Sequence, residues 1–345
     1  MTNDVIYEII KDKIPEFAEV VTVLFEHCNM TCSFCPQDHD STFGADRDQI
    51  MSKVPLVVDW INNNHKSKFF KLHILGGEVF QDVWIEKGFL DIYQEYIDAI
   101  AEGITDPEKE LHPNFVTNLV FEKTDKVMEL LERNNIKVSI SYDSTGRFNK
   151  SQFETFKRNI EIFKDRISMV SVAATATNMK SIIAGDEYFD YLYSLYDIDF
   201  DSYLPANDDK KNLFFMPKES ELLAFNKHLV EHYPKCTNIA YFVEPSQNNR
   251  MSCTRGNSLQ MFPNNYAPKG CSGAALTGNT DVLETVNAQD GELLENFFAK
   301  YNCFECEYFS RCPFTCFVKQ DTKKLIRDID GCVFKETFKF ADSLR

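Results

Sequence analysis

Six short apolar runs alternate with amphipathic stretches over residues 19–235, and this alternation most restricts what the chain can fold into. The runs at 19–25, 69–75, 114–121, 137–142, 169–175 and 198–204 read as strands. Between them, 46–64, 89–102, 123–134, 152–165 and 187–196 carry apolar residues at helical spacing. Strands joined through helices form a parallel sheet with right-handed crossovers. That is the pattern of a partial (β/α)6 TIM-type barrel, whose chemistry gathers at the C-terminal strand ends. Cys28, Gly76, Asp143 and the residues after Thr175 are expected there. A helix over 5–17 is expected to open the chain, and one over 219–232 to close the barrel. The expected division is an N-terminal helix (1–18), the barrel (19–235) and a small cysteine-rich domain (236–345).

The first run leads directly into Cys28, Cys32 and Cys35, spaced C-x3-C-x2-C. Three thiolates on one short loop at a strand end can hold three irons of a [4Fe–4S] cube and leave the fourth iron open to a ligand. The plain alternative is a structural zinc loop, which needs a fourth ligand such as His27 or His39.

With Phe34 before its last cysteine, this loop resembles the defining motif of the radical S-adenosylmethionine superfamily. The resemblance implies a partial (β/α)6 barrel, a [4Fe–4S] cluster on the three cysteines and S-adenosylmethionine on the open iron. Gly76, Gly77 and Glu78 end the second run and resemble the family segment that binds the amino group of that cofactor. Residues without Cβ let backbone approach a ligand, and a carboxylate complements an ammonium. Val79 stands where the family often has proline. Ser141, Asp143 and Arg147, at and after the fourth run, resemble the segment in which serine meets the ribose and arginine the methionine carboxylate. The fifth run lacks the glycine-rich pattern of many members, so adenine contacts stay unassigned there.

Eight of the eleven cysteines fall in residues 236–345, where periodicity fades. Cys303, Cys306, Cys312, Cys316 and Cys332 follow the order C-x2-C-x5-C-x3-C-x15-C. This resembles the SPASM extension of radical enzymes, which holds up to two auxiliary [4Fe–4S] clusters. Cys253 and Cys271 bracket residues 258–263, which resemble the hairpin preceding that signature. The resemblance assigns Cys303, Cys306, Cys312 and Cys332 to an outer cluster and Cys253, Cys271 and Cys316 to an inner one. No cysteine occurs at 255–260, so either Cys236 completes the inner cluster or its last iron is open. Ser272 stands where sulfatase-maturing relatives carry an acid, which argues against that activity. A pair of zinc knuckles is the bland reading of this region.

The formal charge of −16 disfavours nucleic acid and anionic membrane as partners. No run approaches the ~20 apolar residues of a membrane span, and the N-terminus lacks a signal-peptide pattern. A cytoplasmic, reducing setting is expected, where clustered cysteines serve metal chemistry. Residues 186–209 hold eight acids, five tyrosines and no Lys or Arg. They read either as a solvated helix face or as a wall attracting a cationic substrate.

The resemblance implies a 5′-deoxyadenosyl radical that abstracts hydrogen from a C–H bond. The implied partners are an electron donor such as flavodoxin or ferredoxin and a ribosomally made peptide, cross-linked through thioether, C–C or C–N bonds. Residues 1–18 leave no room for a leader-binding domain, so either a separate protein supplies one or the substrate is something else. A small-molecule substrate (amino acid, amino sugar or nucleoside) is the alternative within the same chemistry. A zinc-stabilised, non-catalytic scaffold is the alternative outside it.

Overall fold

The computed structural model describes residues 17–35, 37–65, 67–202, 214–244, 258–263, 266–267, 301–312 and 328–345. The strands are β1 Phe17–Val23, β2 Phe69–Leu75, β3 Glu110–Thr117, β4 Lys137–Tyr142, β5 Ile167–Ala174, β6 Asp197–Ser202, β7 Ser258–Met261 and β8 Tyr266–Ala267. The helices are α1 Arg47–Met51, α2 Val54–Asn63, α3 Asp82–Glu86, α4 Phe89–Gly103, α5 Thr124–Arg133, α6 Lys150–Phe163, α7 Ala176–Ile183, α8 Glu187–Leu195, α9 Glu219–His232, α10 Thr237–Val243 and α11 Val333–Ser343.

One sheet runs in the order β6-β5-β4-β3-β2-β1-β7-β8. β1 to β7 are parallel and curl into a half-barrel; the alternation predicts six of these strands, and β7 is an addition to them. β7 joins β1 with Glu19 opposite Ser258, and β8 returns antiparallel to it. The expected hairpin is therefore present, and it extends the barrel sheet.

Side chains alternate across this sheet. Ala18, Val20, Phe70, Leu72, Ile74, Val138, Ile140, Val170 and Val172 are buried beneath the helices. Burial of each larger side chain among them is worth about 1.5–3 kcal/mol. Thr22, on the same face, meets the Tyr96 hydroxyl of α4 at 3.1 Å. The opposite, inner face is polar: Asn114 Nδ2 reaches Ser139 Oγ at 3.0 Å and His73 Nδ1 at 3.3 Å.

One expectation is corrected, and another falls almost entirely outside the described residues. The helix read over 5–17 lies on residues outside those described, except Phe17, which opens β1. The helix read over 46–64 is two helices, because Pro55 in the first turn of α2 has no N–H to continue α1. At the break, Lys53 Nζ donates to the Phe262 carbonyl beyond β7 at 2.7 Å.

The C-terminal helix docks on the barrel side. Asn226 of α9 reaches Thr337 of α11 at 3.3 Å, and Phe242 of α10 meets Phe338 with ring centroids 4.7 Å apart. Phe338 and Ala341 belong to the same hydrophobic core as the strands. Among the described residues no helix is long and apolar enough to cross a membrane.

Candidate functional site

The cysteine loop grows out of β1 and stays paired to the end of β2. Leu24 N donates to Leu75 O at 2.8 Å, Gly77 N to Phe25 O at 2.8 Å and Glu78 N to His27 O at 3.0 Å. A Cβ on Gly77 would lie 2.1 Å from the carbonyl oxygens of both Glu26 and His27. The bareness of this glycine thus serves the approach of the cysteine loop itself. Cys28 N donates to His39 O and Cys35 N to Cys32 O, both at 3.0 Å, closing the loop on itself. Gln81 fastens it from below: Nε2 donates to His27 O at 3.0 Å, and Oε1 faces His27 Nδ1 at 3.0 Å. His27 is therefore tied to the scaffold.

Burial raises all three thiols, Cys28 up to about 12. Glu78, Cys32 and Cys35 push Cys28 the same way, and Cys32 also pushes Cys35 up. Arg147 opposes this at Cys32 and Cys35. Among the described residues no three His, Cys, Asp or Glu side chains converge as a single-ion site requires. The fit to a cluster rests on the donor set: three thiols on one loop, with a cation beside them. Met30, Phe34, Phe215 and Met216 make an apolar wall with Cys32, and Phe34 meets Phe215 edge-on at 6.1 Å. Arg147 lies 5.4 Å over the Phe34 ring.

Glu78 is buried. Its Oε1 accepts from Phe80 N at 2.9 Å and Thr117 Oγ1 at 2.8 Å, and its Oε2 from Asn118 N at 2.6 Å. Burial raises its carboxyl while these donors lower it. A carboxylate has about four acceptor positions, and three of those on Glu78 are filled. Asp143 follows β4, and burial lifts it to about 6 against the pull of Arg147. Its Oδ1 accepts from Thr145 N at 2.8 Å, while Oδ2 is buried without a partner among the described residues. Arg147 Nε is likewise buried and unpartnered there. Such orphaned groups fit a site built for a polar, zwitterionic ligand. Ser141 lies two residues earlier on the inner face, opposite Ser171.

Sequence reasoning missed Asn118 and Gln81. Asn118 Nδ2 donates to Asn29 Oδ1 at 2.9 Å and lies 3.9 Å from Cys28 Sγ. Asn118 falls inside the run read over 114–121, yet it lies just past β3, which ends at Thr117.

A second thiol group forms near α11. Cys306 and Cys332 both raise Cys303, after burial as the main cause, to about 12. Cys332 is the cap residue of α11; burial raises it, and the N–H groups of Lys335 and Phe334 lower it. Cys312 packs against the barrel core nearby. Cys253, Cys271 and Cys316 lie outside the described residues. Cys236 is fully buried at the start of α10, where burial and Asp199 raise its thiol to about 12.

No protein-family model matches the chain, and no curated protein sequence matches it significantly. Solved structures do. "Native anSMEcpe with bound AdoMet" superposes with a TM-score of 0.67 at 14% identity, covering 95% of this chain and 98% of the other. "Native anSMEcpe with bound AdoMet and Cp18Cys peptide" gives 0.65 at 14%, covering 96% and 100%. Streptococcus suis SuiB bound to precursor peptide SuiA gives 0.52 at 14%, covering 94% and 78%. This chain shares their fold over nearly its whole length.

Proposed function

We propose that this chain is a radical S-adenosylmethionine enzyme acting on a ribosomally made peptide. A [4Fe–4S] cluster and S-adenosylmethionine, when bound, supply a 5′-deoxyadenosyl radical that takes a hydrogen atom from an unactivated C–H bond. One observation carries this reading: the Cys28–Cys32–Cys35 loop leaves β1 hydrogen-bonded to Gly77 and Glu78 of the β2 end, with Arg147 alongside.

The tasks of the chain's own residues follow from their chemistry. Cys28, Cys32 and Cys35 would hold three irons. Arg147, the cation beside this loop, suits a methionine carboxylate. Glu78 has one acceptor position for the ammonium, and Ser141 a hydroxyl for the ribose. Phe34, Phe215 and Met216 keep water from the reacting groups. Cys303, Cys306, Cys312 and Cys332 would hold an outer auxiliary cluster, and Cys253, Cys271 and Cys316, with Cys236 as a further candidate, an inner one. An external one-electron donor such as flavodoxin or ferredoxin is required.

The peptide class is supported by the peptide-bound neighbours, and thioether, C–C or C–N cross-links are the bond types in view. The test is anaerobic reconstitution of the full chain with iron and sulfide, then incubation with S-adenosylmethionine and dithionite. Iron well above three per chain and release of 5′-deoxyadenosine are expected. Zinc in place of iron, or no 5′-deoxyadenosine, overturns the proposal.

A further inference from the structure

The inner face of the sheet carries acids that the chemistry at its mouth leaves unused. Asp199 and Asp201 flank Phe200 on β6; Phe200 is buried beneath the helices, so both carboxylates turn inward. Asp199 pairs with Ser171 and Asp201 with Ala173 on β5, and Ser171 Oγ donates to Asp201 Oδ2. β1 is five strands away in the sheet, yet Glu19 acts on both aspartates, because the sheet curls to bring them together. Lys71 and His73 of β2 share this face, with Lys71 Nζ 4.0 Å over the Phe17 ring. Arg147 reaches Asp201 from the mouth.

An independent observation comes from β7. Gln260 is 3% exposed and stands opposite Val21, on the inner face beside Glu19. Its Nε2 donates to Ser258 Oγ at 2.6 Å, while Oε1 is buried without a partner among the described residues. A buried carbonyl lacking a donor is costly, and an ionised carboxylate nearby can only accept. A ligand bringing a positive charge and several N–H donors satisfies them together.

We infer that the inner face between β6 and β1–β7 is a subsite for the cationic head of a basic substrate residue, an ammonium or guanidinium, held by Asp199, Asp201 and the Gln260 carbonyl. The inference leans on the proposed function only for the substrate's being a peptide; binding itself needs neither iron nor S-adenosylmethionine.

Titration of the full chain with Nα-acetyl-lysine amide, Nα-acetyl-arginine amide and the neutral norleucine analogue, followed by saturation-transfer NMR and calorimetry, tests it. One of the two cations is expected to bind about tenfold more tightly than norleucine. Asp201→Asn and Asp199→Asn should each weaken that binding about fivefold or more, and Gln260→Leu several-fold, with near-UV circular dichroism confirming the fold. Equal binding of norleucine, binding of none of the three, or indifference to both Asn variants overturns the inference. Cation binding by a chain that holds no iron would leave this subsite standing while the proposed function fell.

Discussion

The Gly77 amide donates to the Phe25 carbonyl at 2.8 Å, so the ends of β1 and β2 lock together where the cysteine loop begins. A Cβ at Gly77 would collide with backbone oxygens 2.1 Å away, and backbone cannot rotate aside as a side chain can. Gly77→Ala is therefore expected to cost about 1–3 kcal/mol and to displace the loop. Iron bound by Cys28, Cys32 and Cys35 should fall with it. Thermal unfolding and iron per chain measure both. An alanine variant with unchanged melting temperature and iron would show that the loop yields easily.

Glu78→Gln separates structure from ligand binding. Phe80 N, Thr117 Oγ1 and Asn118 N all donate to this carboxylate, and a glutamine amide would turn a donor toward donors. The expected loss is about 1–3 kcal/mol in urea unfolding without any cofactor. A Gln variant as stable as the parent would assign Glu78 to ligand binding alone.

Arg147 holds down the Cys32 and Cys35 thiols that burial raises. Arg147→Met removes that pull, so their pKa values rise and less thiolate exists at any neutral pH. Alkylation of the metal-free protein by iodoacetamide at pH 8 should slow about three- to tenfold at these cysteines, read by peptide mass spectrometry. Unchanged or faster modification would contradict this electrostatic role.

Much of this arrangement is legible in the chain, for reasons that can be named. Strands β2 and β4 are legible with their observed bounds because Phe70, Leu72 and Ile74, like Val138 and Ile140, alternate cleanly with inner-face residues. The pairing of Ser258–Met261 with β1 was not readable, since a four-residue strand joining a partner far away in sequence leaves no local pattern. Residues 186–209 read as one acidic stretch, yet the structure divides the described part, 186–202. Asp186 caps α8 and accepts from Tyr142 Oη at 2.9 Å, whereas Asp199 and Asp201 point into the barrel. Composition gives the charge; only strand parity says which side receives it.

Asp199 also gives the stability a pH dependence. Burial, with Asp201 and Glu19 nearby, lifts its carboxyl to about 7 from the ordinary 3.8. Between those values the folded protein keeps a proton that the unfolded chain releases, so stability falls as pH rises through that window. Asp199→Asn removes the slope. The variant should be about 1–2 kcal/mol more stable than the parent at pH 8, with the difference fading toward pH 4. Urea unfolding of metal-free protein across that range checks it, and a variant less stable at pH 8 would reverse the sign.

Arg311 joins the second thiol group to the C-terminal helix. Its Nη2 donates to both Asp342 oxygens at 3.0 and 2.8 Å, and its guanidinium lies 5.0 Å over Tyr308 and 4.7 Å over Phe338. Tyr308 stacks on Phe338 with planes 7° apart, so a single cation clamps the turn between Cys306 and Cys312 to α11. Cys332 caps the start of that helix, and its thiol would meet Cys303 and Cys306 in the proposed outer cluster. Arg311→Met keeps the aliphatic stem but loses the ion pair and both ring contacts, an expected cost of about 1–2 kcal/mol. Arg311→Lys retains charge without the planar fork and should recover only part of it. In a Cys32→Ala background, where the first thiol loop lacks one of its three proposed ligands, bound iron should report the C-terminal cysteines alone. It should drop for the methionine variant and partly return for the lysine one. Equal iron in all three would mean that the cysteines find their register without this clamp.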